Sequence, residues 1–216
     1  MNVPECERTL CENVAMPNIN DVAKAWQLAL AERVGKAVQQ RRKSVGLTAQ
    51  ALSARTVDLG YPLTRVAISK IESNQRSGKL DVSELLVLAA ALDIPPALLL
   101  FPDYPVDTVE LLPDDREAGS ESAVEWLSGE RTLPARRADL ADGIYRAPPN
   151  AGTQLVAAIR KRNMMTHMLF EAETRGDDRY REVMQELRSD LVANELEVLD
   201  LRKQLGIAAV LEKGNE

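Results

Sequence analysis

Aromatic side chains are scarce in this chain: two Phe, two Trp and four Tyr make up 4% of 216 residues, although hydrophobic residues as a whole reach 45%. A core must therefore come from Leu, Ala and Val, which pack helices against one another. There is a single histidine, His167, and the two cysteines, Cys6 and Cys11, both lie near the N-terminus. Two thiols and one distant imidazole do not complete a four-ligand zinc site, and Met164, Met165 and Met168 beside His167 add only packing groups, so no metal and no cofactor is expected. The same shortage leaves no nucleophile paired with a base, and no glycine-rich phosphate loop occurs, so the chain does not read as an enzyme. No apolar run reaches the about 18 residues that suggest a membrane helix. No basic region followed by an apolar stretch marks a secretory signal. The expectation is a cytoplasmic protein with free thiols and no membrane association.

Charge is present but unevenly placed. Between Lys24 and Lys79 eleven basic residues face three acidic ones, a net +8, while the whole chain carries −6, so the remainder carries −14. A basic module joined to an acidic body suits a protein that grips a polyanion at one end.

Residues 1–20 hold Pro4, Pro17 and several Asn without periodicity and read as a flexible tail. From Val22 to Lys43 the apolar residues Ala23, Trp26, Leu30, Val34 and Val38 recur every three or four positions, which predicts an amphipathic helix. Gly35 inside it costs about 1 kcal/mol against alanine, which points to a close helix contact there. Arg41-Arg42-Lys43 place cations at the negative end of the helix dipole. Two short helices follow, Thr48 to Ala54 and Thr64 to Glu72, each opened by a threonine able to cap it. The second buries Ala67, Ile68 and Ile71 and turns Arg65, Val66, Ser69 and Lys70 outward. Asp81 with Glu84 reads as a capping box for a fourth helix whose apolar face is Leu85, Leu86, Leu88, Ala89 and Leu92. Ile94-Pro95-Pro96 ends that helix and starts a fifth, Ala97 to Phe101, which either packs beneath the bundle or meets a second chain.

At these residues the chain resembles the Cro/CI-type (XRE) helix-turn-helix regulators, in the form common among actinobacteria. The resemblance covers about a third of the chain, Glu32 to Pro102. It is carried by Arg42, Gly46-Leu47-Thr48, Leu52-Ser53, Ala67-Ile68-Ser69-Lys70-Ile71-Glu72, the run Leu85 to Leu92 and Ile94-Pro95-Pro96. It implies a five-helix, lambda repressor-like domain over 21–102 that binds double-stranded DNA, with base reading by Arg65, Val66, Ala67, Ser69 and Lys70. It implies phosphate contacts by Thr48, Gln50, Thr64, Ser73, Asn74, Gln75, Arg76 and Lys79, and a structural ion pair between Arg42 and Glu72. Three departures stand out. Ala49 replaces the glutamine that usually follows the second helix's cap, Asn74 replaces a glycine after the recognition helix, and Thr56 to Leu63 makes a longer connection than in the phage repressors.

Prolines 102, 105, 113, 134, 148 and 149 mark 103–150 as a linker, with one short helix, Ser122 to Leu127, able to dock Trp126. From 151 to 210 the pattern is helical again, broken at Arg175-Gly176-Asp177-Asp178. Beyond the break Tyr180, Met184, Leu187, Leu191, Asn194, Val198, Leu201 and Leu205 step by four and three, a heptad seam. That seam fits a helical hairpin within the chain or a coiled coil between chains, and a hairpin that also forms a homodimer is favoured. The fold expected is all-α, and the function a DNA-binding transcriptional regulator at the nucleoid, a repressor on a two-fold operator. The other class is an antitoxin-like interaction protein whose acidic half binds another polypeptide, and a small-molecule effector stays open.

Overall fold

The computed structural model describes residues 19–140, 147–175 and 181–207. The expected tail, apart from residues 19 and 20, and the residues Cys6, Cys11 and Tyr180 fall outside them. The chain divides into two compact units, with the boundary after Pro102. The described residues are mostly helical: eight α-helices, a 3-10 turn and a two-stranded ribbon.

The first unit holds α1 (Ile19–Ser44), α2 (Ala49–Asp58), α3 (Arg65–Glu72), α4 (Val82–Ala91) and α5 (Pro96–Leu100). Each of the middle three begins where an oxygen satisfies an orphan amide: Thr48 accepts from Ala51, Thr64 from Ala67 and Asp81 from Ser83. Proline occupies the first position of α5, where its missing N–H costs nothing. The main apolar cluster these helices close around is built from Leu, Ile, Val and Ala, with Val34, Val38, Leu52, Ile68, Leu88, Leu92 and Leu99 fully covered. Three details differ from the sequence reading. α2 runs on to Asp58 instead of ending at Ala54, because Thr56 is buried in the core with its hydroxyl donating to the Ser53 carbonyl, and the connection to α3 shortens to residues 59–64. Leu86 is 52% exposed while Glu84 is buried, and the rest of the expected α4 face, Leu85, Leu88, Ala89 and Leu92, is buried. The Glu84 carboxylate accepts from Arg76 rather than serving a capping box.

Gly35 lies where α1 passes the end of α3. A β-carbon there would collide with the Ile71 carbonyl oxygen and crowd the Glu72 backbone. The low helix propensity of glycine is thus offset by an approach that no other residue permits.

In the second unit, β1 (Thr108–Leu112) and β2 (Arg116–Gly119) pair antiparallel, with Val109 opposite Ala118 and a register shift after Glu110. Then come α6 (Ser120–Leu127), a 3-10 turn (Arg137–Leu140), α7 (Ala151–Arg175) and α8 (Arg181–Gln204). The short helix expected within the linker forms as α6, from Ser120, and the ribbon ahead of it was not expected. Leu111, Ala118 and Ala123 are buried, and Trp126 is half-buried on α6. The long helices α7 and α8 pack as a hairpin: Leu155 and Ala158 of α7 form a cluster with Val198 and Leu201 of α8. Asn194, Val198 and Leu201 are buried and Met184, Leu187 and Leu191 half-buried, so the heptad seam is used within the chain. Leu205 is a correction: it lies one residue past α8 and is exposed, because Gly206, at φ +67°, turns the chain out of the helix. Asn194 is 2% exposed, and neither end of its amide meets a hydrogen-bond partner among the described residues.

Two measurements check this account. Gly35→Ala should lower the unfolding free energy in urea by about 1–3 kcal/mol, the usual cost of overpacking. The Asp81 carboxyl is held below the usual carboxylate range, first by the Ser83 backbone amide and then by the Ser83 side chain. Its stabilisation is present above the unfolded pKa of about 3.9 and is lost as pH falls through the lower folded value. Asp81→Asn keeps a cap without the charge, so its thermal midpoint should fall less than the wild type's from about pH 5 to pH 2.

Candidate nucleic-acid interface

Both ends of α3 are fixed to the scaffold. Ahead of it runs a six-residue connection, 59–64, that two buried hydroxyls of α2 pin. Ser53 Oγ donates to the Leu63 carbonyl at 2.6 Å, the Leu63 N–H donates to Thr56 Oγ1 at 3.0 Å, and Thr56 Oγ1 donates to the Ser53 carbonyl at 2.8 Å. Thr56 is fully buried, so these bonds form away from water, where leaving them unmade costs most. At the far end Arg42 grips Glu72 with both arms, Nε to Oε1 at 2.6 Å and Nη2 to Oε2 at 2.7 Å. Its third nitrogen, Nη1, donates to the Leu47 carbonyl at 2.9 Å. The two side chains are only 12% and 5% exposed. Hydrogen bonding to Glu72 raises the Arg42 pKa against the opposing effect of burial.

Between these clamps the outer face of α3 is open. Arg65, Val66, Ser69 and Lys70 are exposed, Val66 to 60%, and Ala67 sits half-buried at the edge. Just beyond, Asn74 takes φ 52°, the left-handed turn that ends the helix, and its Nδ2 donates to the Leu28 carbonyl at 3.0 Å. Asn74 therefore makes the turn and adds a tie to α1.

The expected phosphate-contacting set divides by local chemistry. Gln50, Gln75 and Lys79 are exposed. Thr48 and Thr64 are exposed as well, with each hydroxyl already accepting a cap bond. Ser73 Oγ donates to the Ser69 carbonyl at 2.7 Å, Asn74 is tied to Leu28, and Arg76 pairs with Glu84. Lys24 was not singled out by the sequence reading, yet its Nζ donates to the Ser77 carbonyl at 2.6 Å, which sets a cation from α1 beside the 73–79 loop. Its sequence separation of 53 residues hides this neighbour from any local pattern. Two other cations do structural work: Arg41 donates to the carbonyls of Leu92 and Asp93, and Arg55 to that of Ala91. Both hold the carbonyl end of α4, where cations are favoured.

The second unit contains a groove of about 810 Å³, bordered by Glu117 of β2, Ser122 and Glu125 of α6, Leu133, and Gln154 of α7. Its charged groups are engaged with one another or with neighbours, Glu125 with Arg131 and Glu130 with Arg160. Among the described residues no helix is long and apolar enough to cross a membrane.

No protein-family model matches this chain, and neither a curated protein nor a solved structure shows significant similarity to it. The chemistry of these residues is therefore the basis for assigning a role.

Glu72→Ala leaves the Arg42 guanidinium without its carboxylate in a nearly closed pocket. It should cost about 3–5 kcal/mol in urea unfolding, the range for breaking one side of a buried pair. Glu72→Gln should lower the melting temperature as well, by a smaller amount.

Proposed function

We propose that residues 21–102 form a Cro/CI-like helix-turn-helix module, and that the chain is a sequence-specific DNA-binding transcriptional regulator acting as a repressor on a two-fold operator. The observation that carries this reading is the outer face of α3, where Arg65, Val66, Ser69 and Lys70 stand exposed on a short helix clamped at both ends. A helix that enters a major groove needs that combination, because its inner face must hold it rigid while its outer face meets base edges. Arg65, in the first turn, has the fork geometry for O6 and N7 of guanine. Val66 offers an apolar surface to a thymine methyl. Ser69 and Lys70 reach bases or the flanking phosphates. Lys79, Gln75, Gln50 and Lys24 are exposed on the same unit, and such groups position a duplex without reading its sequence.

The charge distribution supports the same reading. The net +8 between Lys24 and Lys79 belongs to the first unit, although some of its guanidiniums serve the fold rather than a partner. The exposed cations supply the salt-dependent part of binding. One module of this size makes a modest interface, so useful specificity calls for two half-sites and two copies of the chain.

Arg65→Ala should weaken binding to the preferred duplex by about 1–3 kcal/mol and leave binding to random duplex nearly unchanged. Selection of bound fragments from random double-stranded DNA, followed by titration of wild type and variant at one salt concentration, measures both. An equal loss on both duplexes, or no enriched sequence, rules the reading out.

A further inference from the structure

Packing of α7 against α8 occupies the seam that the heptad pattern offered to a second chain, and it leaves the opposite side of α8 uncovered. Val192, Leu196 and Leu199 there are 65%, 64% and 53% exposed. Their steps of four and three place them on one stripe, and at 100° per residue it lies about 140° around the helix from the side that faces α7. We propose that this stripe docks a second copy of the chain, α8 against α8 and antiparallel, with the two-fold axis crossing between Leu196 and Leu199. The proposal deepens the two-half-site reading above, and its biological purpose rests on that reading.

Charge decides both occupant and direction. In the antiparallel register Leu196 meets the partner's Leu199 on each side of the axis, and Val192 lies along the aliphatic stem of the partner's Lys203. Glu195 then comes opposite the partner's Arg202, a half-buried side chain with its Nε covered, so the contact is made through the outer nitrogens, and symmetry makes that pair twice. Ala193, small and neutral, faces the partner's Asp200. A parallel pair would instead set Glu195 against the partner's Asp200 twice, a like-charge contact of the kind that flanking positions use to reject an orientation. The stripe is thus complementary to itself in one direction only. It is also short, well below the area of a standard stable interface, so the pair forms reversibly in solution and tightens when one duplex holds both modules.

The test uses the full chain. Sedimentation equilibrium should show a concentration-dependent dimer that Leu196→Asp with Leu199→Asp weakens at least tenfold. Met168→Asp, at an exposed position on α7, should leave it unchanged, and circular dichroism checks that each variant keeps its helices. Direction is read separately. In a Cys6→Ser, Cys11→Ser background, a spin label on Ser189→Cys should lie about 25 Å from its counterpart, from a rise of 1.5 Å per residue on either side of the axis, against about 10 Å for a parallel pair. A wild-type chain that is monomeric at about 100 µM, a dimer indifferent to the two aspartates, or the shorter label distance overturns the proposal. A duplex with a single half-site separates the two ideas, since the aspartate variant should bind it as the wild type does. If neither chain binds DNA while the dimer and the longer label distance hold, the DNA reading fails and this interface stands.

Discussion

One guanidinium ties three helices together. Arg42 belongs to the last turn of α1, Glu72 closes α3, and the Leu47 carbonyl lies just ahead of α2, so three of its nitrogens fix the mutual placement of the elements that present the outer face of α3. Two turns earlier on α1, Gly35 lets the end of α3 approach the helix backbone directly. The apolar core sets how far apart these helices lie, because Val34, Val38, Ile68 and Ile71 fill the space between them. It does not set rotation, which a bidentate pair constrains far better than methyl groups do. The connection before α3 would otherwise leave the start of that helix free to swing, and the buried hydroxyls of Ser53 and Thr56 remove that freedom.

Much of this was legible in the sequence, for identifiable reasons. Thr48, Thr64 and Asp81 mark helix starts because a capping oxygen is a local device, readable without knowledge of the rest of the fold. The Gly35 approach was legible because glycine inside a strong helical pattern demands a reason. The β1–β2 ribbon was not. Its strands are five and four residues long, and the Pro113-Asp114-Asp115 turn between them has the composition of the linker around it. Nor could counting charge tell the cations that stay exposed from those that cap α4 or pair with a carboxylate. Arg41, Arg55 and Arg76 are spent on partners between eight and 52 residues away in the chain.

The heptad pattern of α8 shows a related limit. Steps of four and three say that one face of a helix is covered, and nothing about what covers it. Here α7 does so through Leu155 and Ala158. The polar position in the seam, Asn194, has no hydrogen-bond partner among the described residues. Covering the seam internally leaves Val192, Leu196 and Leu199 exposed on the outer side of α8.

The outward residues of α3 have one more property. Arg65, Val66 and Lys70 contribute nothing to the clamps at either end of the helix, and none of them belongs to the buried cluster. Replacing them alters the exposed surface while the scaffold beneath stays intact. Under the proposed reading, related chains could therefore diverge in the duplex they prefer through a few substitutions at neutral cost to folding, and the same positions are where preference could be rewritten by design.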